Sequence, residues 1–223
     1  KAMFGGAIAS WPTATIAGIS IQETSMRLLS IGPPAGRKGT QAKFLIDHFA
    51  IPQISTGDML RGNLNNNTSM GEKAQKFMNS GQLVPDSIIL DMMQKRLTEQ
   101  DCKNGYILDG FPRTIPQAEG LDYLLKGVNQ QLDHVIVMDV PDNLIITRLS
   151  NRRSCKECGQ VYNLIFEPPA IAGKCNNCSK ELYLREDDNP ATIQQRLTVY
   201  HQQTKPVIKY YSDQRLTKVI DSK

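Results

Sequence analysis

The clearest chemical signal in the sequence is a glycine-rich run at residues 32–40, Gly-Pro-Pro-Ala-Gly-Arg-Lys-Gly-Thr, which follows an apolar segment. It predicts a strand, a tight turn and a helix, which is the layout of a phosphate-binding loop. In such a loop the backbone N–H groups and Lys38 hold phosphate oxygens, and the Thr40 hydroxyl can hold Mg²⁺. The pattern requires glycine immediately before the lysine, but in this chain that residue is Arg37. The loop is therefore stronger evidence for the evolutionary origin of the chain than for its catalytic activity.

Two further runs carry groups suited to phosphate. Residues 55–61, Ser-Thr-Gly-Asp-Met-Leu-Arg, put hydroxyls at a predicted helix start and Arg61 one turn later. A capped helix with a surface arginine would give the same pattern. Residues 108–113, Leu-Asp-Gly-Phe-Pro-Arg, put Asp109 at the end of a buried strand, the position that organises Mg²⁺ in P-loop enzymes. Helix capping is the alternative for Asp109.

Cysteines supply a separate signal. Four of the five form two Cys-x-x-Cys pairs, with residues 159–174 between the pairs: Cys155, Cys158, Cys175 and Cys178. This spacing predicts a closed four-thiolate zinc site with a structural role, in a reducing intracellular compartment. Gly159 and Ser179 follow the pairs and suit tight turns. A zinc ribbon that binds nucleic acid is the alternative, although the window has few basic residues. Cys102 is predicted to be a lone thiol.

Apolar strands alternate with amphipathic helices around these signals. The patterns predict strands at 27–31, 106–109, 134–140 and 218–221, a helix starting at 55–58, and helices at 39–49, 70–80, 87–98, 116–125, 141–151 and 190–211. Such alternation predicts an α/β fold with a parallel sheet covered by helices on both faces. On the first helix, Phe44, Leu45 and Phe49 are expected to share one face. The cysteine window is an insertion with a short β-like module at 161–169.

Bulk composition sets limits on the function. The chain has 223 residues and is 40% hydrophobic, which suits one domain, or a core domain with an insertion. Its net charge of +4 fits a small anionic ligand and is weak evidence for nucleic acid. Residues 1–26 form a predicted appended arm. Residues 2–22 carry no charge, but Pro12 and three glycines make them too broken for a membrane span. A loose tail and a docking segment both remain open.

The runs at 32–40, 55–61 and 108–118 resemble those of the adenylate kinase family in sequence, order and separation, and the last run is highly specific. The resemblance covers about residues 26–221. The family transfers the γ-phosphoryl group of ATP to AMP, giving two ADP. The resemblance implies the P-loop nucleoside-monophosphate-kinase fold in residues 27–223, an AMP-binding segment at about 55–84, and a zinc-bearing β lid inserted at about 152–188.

The resemblance also implies roles for individual residues. ATP is expected to contact the loop and two arginines: Gly32, Gly36, Arg37, Lys38, Gly39, Thr40, Arg148 and Arg152. AMP is expected to contact Thr56, Arg61, Val84, Gly110, Arg113, Gln117, Arg185 and Arg196. The expected catalytic residues are Lys38, Asp109, Arg152, Arg185 and Arg196, with Asp109 ordering the water shell of the Mg²⁺ that accompanies ATP. The four paired cysteines hold structural zinc.

Two features depart from the family's pattern. The family's loop has glycine where this chain has Ala35 and Arg37. Gly36 lies one position early and would compensate if the loop shifted, whereas Arg37 would either add charge toward phosphate or fill the phosphate pocket. The family also continues beyond the strand at 218–221 into a loop that packs on the adenine of ATP and a final helix, whereas this sequence stops at Lys223. Both departures affect the expected ATP site, which suggests that the ATP site has selectively lost function.

The leading expectation is therefore a monomeric enzyme that works with ATP and AMP or ADP, binds no nucleic acid and does not cross a membrane. The cytoplasm and the mitochondrion are the expected compartments, with the mitochondrion slightly favoured. The alternative is a weak or inactive accessory subunit of a larger assembly, such as a mitochondrial one. A third hypothesis is a sensor that binds AMP without transferring phosphate.

Overall fold

The computed structural model describes residues 25–222. The arm expected at residues 1–26 therefore lies outside the described residues except at its last two positions, and Met26 already begins the first strand. Among the described residues, no helix combines the length and the apolar character that a membrane crossing would need.

Within residues 25–222, eight strands form two sheets. In chain order they are β1 (Met26–Ile31), β2 (Gln53–Ser55), β3 (Gly105–Asp109), β4 (His134–Asp139), β5 (Arg152–Cys155), β6 (Val161–Asn163), β7 (Leu182–Tyr183) and β8 (Thr217–Asp221). The larger sheet has the order β2-β3-β1-β4-β8 with every neighbouring pair parallel. The smaller sheet, β6-β5-β7, is antiparallel. It lies within the cysteine-bearing insertion, which we call the lid.

The described part of the chain also contains eight α-helices. They are α1 (Lys38–Phe49), α2 (Thr56–Asn65), α3 (Ser69–Asn79), α4 (Asp86–Leu97), α5 (Ile115–Gly127), α6 (Asp142–Ser150), α7 (Pro190–Val199) and α8 (Lys205–Asp213). A π-helical turn, Tyr200–Thr204, joins α7 to α8. Short 3₁₀ turns lie at Gln100–Cys102 and Glu186–Asp188.

The sheet is covered on both faces because successive residues of a strand point to opposite sides. On β1, Leu28 packs with Ala42 and Ile51 beside α1. Its neighbour Leu29 belongs to the larger cluster with Leu108, on the opposite face, to which α4, α5 and α8 contribute. The predicted α/β class with a covered parallel sheet is confirmed.

The strand order also determines where a ligand can sit. β1 lies in the middle, with β3 and β2 on one side and β4 and β8 on the other. Ligands of open parallel sheets bind beyond the carboxyl ends of the strands, where the connections diverge to opposite sides. The carboxyl ends of β1 and β3 lead directly into residues 32–37 and 110–114, which are the phosphate loop and the Gly-Phe-Pro-Arg turn.

Three details differ from the sequence-based expectations. β2 is missing from the predicted strands because three residues are too short to show a period. The helix predicted at 190–211 is interrupted by the π turn at Tyr200–Thr204. Phe44 was expected on the same face as Leu45 and Phe49, but those two pack on the sheet while Phe44 is 68% exposed.

Candidate active site

A large cleft of about 1190 Å³ lies between the phosphate loop, α2, the lid and α7. A cavity of about 80 Å³ adjoins it beside α2. Every nucleotide-site residue expected from the sequence lines one or both: Gly32, Gly36, Arg37, Lys38, Gly39, Thr40, Thr56, Arg61, Val84, Asp109, Gly110, Arg113, Gln117, Arg148, Arg152, Arg185 and Arg196. The fold thus brings residues from across the sequence to one place, and their individual roles remain predictions.

The phosphate loop keeps left-handed backbone torsions without the two glycines. Ala35 has φ 54° and Arg37 has φ 64°, whereas Gly36 is not among the residues with positive φ. The expected compensation by Gly36 is therefore wrong, because the loop has not shifted by one residue. The Ala35 side chain packs against the cluster formed by Val140, Ile145 and Leu149 with residues of α7. This packing offsets part of the torsional cost, which is about 1–2 kcal/mol for a left-handed residue with a side chain.

Lys38 begins α1 and folds back over its own loop. Its ammonium donates hydrogen bonds to the carbonyl oxygens of Gly32 at 3.0 Å and Pro33 at 2.7 Å. Burial lowers its pKa to about 8, although the nearby Asp109 carboxylate acts in the opposite direction. A desolvated ammonium beside a helix N-terminus is suited to bind an outer phosphate.

Asp109 ends β3 beneath the start of α1. Its carboxylate accepts a hydrogen bond from the Gln53 amide at 2.9 Å. A methyl group placed on Gly39 would lie 3.9 Å from that carboxylate, so the helix start and the aspartate are close neighbours. Carboxylate and hydroxyl oxygens are the donors that Mg²⁺ prefers. Asp109, together with Thr40 on the first turn of α1, therefore fits a magnesium ion held mostly through water.

On the side of the cleft next to α2, hydrogen bonds connect the residues into a network. We call this the acceptor side, because AMP, the expected phosphate acceptor, is expected to bind there. The Thr56 hydroxyl donates to the Gly110 carbonyl at 2.7 Å, and the Arg113 Nε donates to the same oxygen at 2.8 Å. Gly110 has φ +76°, and a methyl group there would lie 2.8 Å from Arg113 Nη2. Arg61 pairs with Asp58 at 2.6 Å. The network fixes Arg113 through Nε and leaves the outer edge of its guanidinium for a ligand.

Gln117 is held by a second set of contacts. Its amide oxygen accepts from the Arg113 backbone N–H at 2.8 Å, and its amide nitrogen donates to the Asp86 carboxylate at 2.7 Å. The Thr114 hydroxyl donates to the same Asp86 oxygen at 3.1 Å. These partners set the orientation of the buried Gln117 amide. The neighbouring Val84 is also buried and contributes an apolar wall to the small cavity.

Two arginines at the centre of the cleft share carboxylates. Arg152 forms two hydrogen bonds to Asp188, at 2.6 and 2.7 Å. Arg196 reaches Asp188 and Asp187, each at 2.9 Å. Burial lowers the pKa of Arg196 to about 10, and Asp187 opposes that shift. The shared, fully buried Asp188 carboxylate thus holds both guanidinium groups in a fixed arrangement.

Arg185 lies at the end of the lid, and its Nε donates a hydrogen bond to the Ser154 hydroxyl at 2.7 Å. Burial, together with the charges of Arg152 and Arg61, lowers its pKa to about 10. The next residue, Glu186, accepts a hydrogen bond from the Asn79 amide of α3 at 2.8 Å. The base of the lid is therefore tied to the acceptor side.

Arg148 lies on α6 at the other end of the cleft. Its Nη2 donates to the Ser222 carbonyl at 2.9 Å, while its Nε and Nη1 are buried without a hydrogen-bond partner. Its side chain is largely covered, and burial lowers its pKa. We call this end, with the phosphate loop, the donor side.

The four paired cysteines meet in the lid. Their sulfur atoms all lie within 4.8 Å of one another, and the closest pairs are 3.4, 3.5 and 3.7 Å apart. A tetrahedron with zinc–sulfur bonds of about 2.3 Å has edges of about 3.8 Å, so the donor set fits zinc. Gly159 and Ser179 have φ 71° and 59°, which confirms the expected turns after each pair. Their N–H groups donate to the Cys155 and Cys175 carbonyls.

The lid has little other support. Its buried cluster contains Cys155, Cys175 and Tyr162, with Cys178 and Leu182 packed against it. The Tyr162 hydroxyl lies 3.4 Å from the Cys175 sulfur and accepts from the Asn176 N–H. A module with so small an apolar core gains its stability from metal binding. The cluster agrees with a structural zinc site.

Several residues of the site had no sequence-based role. They are Gln53 behind Asp109, Asp86 behind Gln117, Ser154 behind Arg185, and the two carboxylates Asp187 and Asp188. For Asp187 and Asp188 a signal was available, because these acidic residues closely follow the expected catalytic residue Arg185 in the sequence.

The sequence is similar to those of known proteins. The family model described as Adenylate kinase matches residues 30–216. An adenylate kinase of Lachnospira eligens is 48% identical over 196 residues, covering 88% of this chain and 92% of that protein. Those of Lachnoclostridium phytofermentans and Caldicellulosiruptor bescii are 49% and 51% identical, covering 88% and 83% of this chain and 90% and 86% of the relatives. With its phosphate loop, acceptor network and clustered arginines in one cleft, the chain belongs to the adenylate kinase family.

Proposed function

We propose that this protein is an adenylate kinase that transfers the γ-phosphoryl group of ATP to AMP and runs the reverse reaction from two ADP. One observation carries the proposal. A single cleft holds a phosphate loop at one end and a preformed acceptor network at the other, with arginines between them. Family membership supports the same reaction.

The transfer joins a phosphate oxygen of AMP to the γ-phosphorus and breaks the bond between that phosphorus and the β–γ bridging oxygen, which leaves with ADP. The protein has to align the two oxygens and neutralise charge as the group moves. Lys38 and the loop N–H groups hold the donor phosphates. Arg113 and Arg61 hold the acceptor phosphate, while Gln117 faces the acceptor base.

Charge neutralisation falls to the arginines between the two ends. Arg152 and Arg196 are oriented before any substrate arrives, because both are bound to Asp188. Arg185 is fixed more loosely, through Ser154. Preorganised guanidinium groups in a partly desolvated cleft stabilise developing negative charge without having to reorganise.

Two metals fit the site and the lid. Asp109 and Thr40 are the residues that would hold Mg²⁺, which supplies charge neutralisation between the β- and γ-phosphates when bound. The four cysteines would hold zinc, which has no free coordination position there and so is structural. Closure of a folded lid excludes water from the transferring group and brings Arg185 toward it.

The four paired cysteines also bear on the cellular compartment in which the protein works. Four reduced thiols in one cluster favour an intracellular reducing compartment. The three relatives described above are bacterial proteins and give no support to the mitochondrial expectation. The comparisons likewise give no support to the accessory-subunit hypothesis. We expect a monomer that acts on ATP, AMP and ADP and binds no nucleic acid.

The test is a coupled assay of ATP and AMP formation from ADP with Mg²⁺, on the wild type and on Lys38→Met. We expect turnover by the wild type and a loss of at least about 100-fold in the variant, because a charge-assisted phosphate contact is lost from the transition state. Lys209→Met, which removes an exposed lysine of α8 paired with Asp213, is the matched control and is expected to keep full turnover.

Arg37→Gly belongs in the same assay. A silent wild type with recovered turnover in Arg37→Gly would show that the loop has been disabled, and would favour a sensing or structural role. Folded but inactive protein in both forms would contradict the proposed reaction.

Zinc is tested separately by metal analysis of the purified protein. We expect about one zinc per chain, lost together with turnover on strong chelation and regained on addition of zinc. Turnover that survives complete removal of the metal would contradict its structural role.

A further inference from the structure

Gln117 presents a buried amide to the small cavity beside α2. Its side chain is only 2% exposed, and it lines that cavity together with Thr56 and Val84. A carboxamide oxygen can accept two hydrogen bonds, and a carboxamide nitrogen can donate two. The protein uses one of each, since the oxygen accepts from the Arg113 N–H and the nitrogen donates to the Asp86 carboxylate. One acceptor position and one donor position of the amide therefore remain for a ligand.

A glutamine amide that is free to turn cannot by itself distinguish the two kinds of purine. Adenine presents an amino group that donates beside a ring nitrogen that accepts, whereas hypoxanthine and guanine present a carbonyl that accepts beside a ring N–H that donates. An amide can pair with either edge, because a half-turn about its last torsion exchanges the places of its oxygen and its nitrogen. Selectivity between these bases therefore requires groups that hold the amide one way round.

The two partners of Gln117 hold it one way round because they have opposite hydrogen-bonding character. The Arg113 backbone N–H can only donate, and the Asp86 carboxylate can only accept. A reversed amide would set its nitrogen against the N–H and its oxygen against the carboxylate. Both hydrogen bonds would be lost at a buried side chain, where unpaired polar groups are costly.

Asp86 is itself held in place by Thr114. It is the first residue of α4, and its Oδ1 accepts from the Thr114 hydroxyl at 3.1 Å as well as from the Gln117 amide at 2.7 Å. The Thr114 oxygen accepts in turn from the Gln117 backbone N–H at 3.2 Å, so its own proton is directed to Asp86. Asp86 lines neither cavity, and it can therefore act on a ligand only through Gln117.

We propose that Asp86 is the residue that makes the acceptor side selective for an aminopurine nucleotide. By fixing the orientation of the Gln117 amide, it directs the amide N–H to the ring nitrogen of adenine and the amide oxygen to the amino group. An oxopurine monophosphate would set its ring N–H against the amide N–H and its carbonyl against the amide oxygen. Asp86 is a positioning residue, and the inference rests on the proposed function, since it explains the choice of base at the same site.

The test is titration calorimetry of the full chain with AMP and with inosine monophosphate, which differs from AMP only at this edge of the base. We expect the wild type to bind AMP at least about 100-fold more tightly, because a site built to hydrogen-bond its substrate rejects an analogue that leaves buried groups unpaired. Asp86→Asn keeps the shape of the side chain but can present either an oxygen or a nitrogen to Gln117. It is expected to lower the preference for AMP about tenfold, mainly through tighter binding of inosine monophosphate.

Asp86→Ala removes the acceptor altogether and serves as a second variant. It should lower the preference at least as much as Asp86→Asn, while the dissociation constant for AMP rises less than about fivefold. Asp91→Asn is the matched control, because Asp91 is an exposed carboxylate on the same helix and lines neither cavity. Both of its dissociation constants are expected to equal those of the wild type. Urea titrations of each variant check that it is folded under the conditions of the measurement.

Three results would overturn the inference. One is an equal loss of affinity for both nucleotides in the two Asp86 variants, because a merely structural role would weaken the site without changing its preference. Another is a pair of dissociation constants that neither variant changes. The third is the same fall in preference in Asp91→Asn, which would reflect the charge of α4. These titrations need no turnover, so an inactive protein that showed the expected change in preference would contradict the proposed reaction and still support the role of Asp86.

Discussion

The acceptor side and the donor side of the cleft are built in different ways. On the acceptor side, Thr56, Arg113 and Gln117 each have protein partners before any ligand binds. On the donor side, within residues 25–222, Arg37 forms no side-chain hydrogen bond or ion pair, and Arg148 has two buried nitrogens without a partner. The side chains of the acceptor side are thus held by protein hydrogen bonds, whereas two guanidinium groups of the donor side are incompletely paired.

Asp188 at the centre of the cleft gives the largest expected effect. Asp188→Asn leaves Arg152 and Arg196 buried with their shared charge partner gone, and should lower the free energy of unfolding by about 3 kcal/mol in urea titrations. Asp213→Asn breaks an exposed pair with Lys209 and should cost less than about 1 kcal/mol. Equal costs would mean that the central arginines do not depend on Asp188.

Arg113 tests whether the acceptor side acts independently of the donor side. Arg113→Ala should lower kcat/KM for AMP by about 100-fold, because two charge-assisted contacts to phosphate are lost, while the KM for ATP changes little. Arg96→Ala removes an arginine paired with Glu99 and Asp101 outside the cleft and should leave kinetics unchanged. Unchanged turnover in Arg113→Ala would refute the site assignment.

Gly110 tests how closely the acceptor network is fitted. Gly110→Ala forces a side chain into a left-handed position and places its methyl group 2.8 Å from Arg113 Nη2, so the KM for AMP should rise about tenfold. Gly173→Ala has nearly the same torsion, φ +75°, with no neighbouring atom within 4 Å. If both substitutions had the same small effect, torsion alone would matter and not the displacement of Arg113.

The contact between Asn79 and Glu186 gives the smallest expected effect, and it ties the base of the lid to the acceptor side. Removing both partners in a double-mutant cycle should show a coupling energy of about 0.5 kcal/mol in unfolding titrations. Asn79→Ala should raise the KM values for AMP and ATP together, by about twofold. Gln94→Ala, an exposed amide on α4, is the control. A change in the KM for AMP alone would show that the contact does not act through the lid.

The fold was largely predictable because its signals are local. Apolar runs located β1 and β3 to within one residue, and helical spacing located α4 and α5 to within two. The errors in the predicted secondary structure also have local causes. β2 is too short to show a period, and the π turn at Tyr200–Thr204 leaves no mark in a continuous helical pattern.

Only those residues of the site that belong to recognisable sequence motifs could be predicted. The resemblance identified the residues that line the cleft, but it could not identify the groups behind them. Gln53 is 56 residues from Asp109, and Asp188 is 36 residues from Arg152. Such partners are set by strand order and helix packing, which no short run of sequence encodes.

The phosphate loop shows that glycine has two separable structural roles in such a turn. It permits left-handed torsion, and it leaves room for the ligand. Here Lys38 binds two loop carbonyls, the Gly36 N–H donates to Pro33, and Ala35 packs on α6 and α7, so the surroundings impose the torsion without glycine. The side chain at position 37 is exposed at the cleft. A side chain is therefore tolerated at position 37 without redesign of the loop backbone.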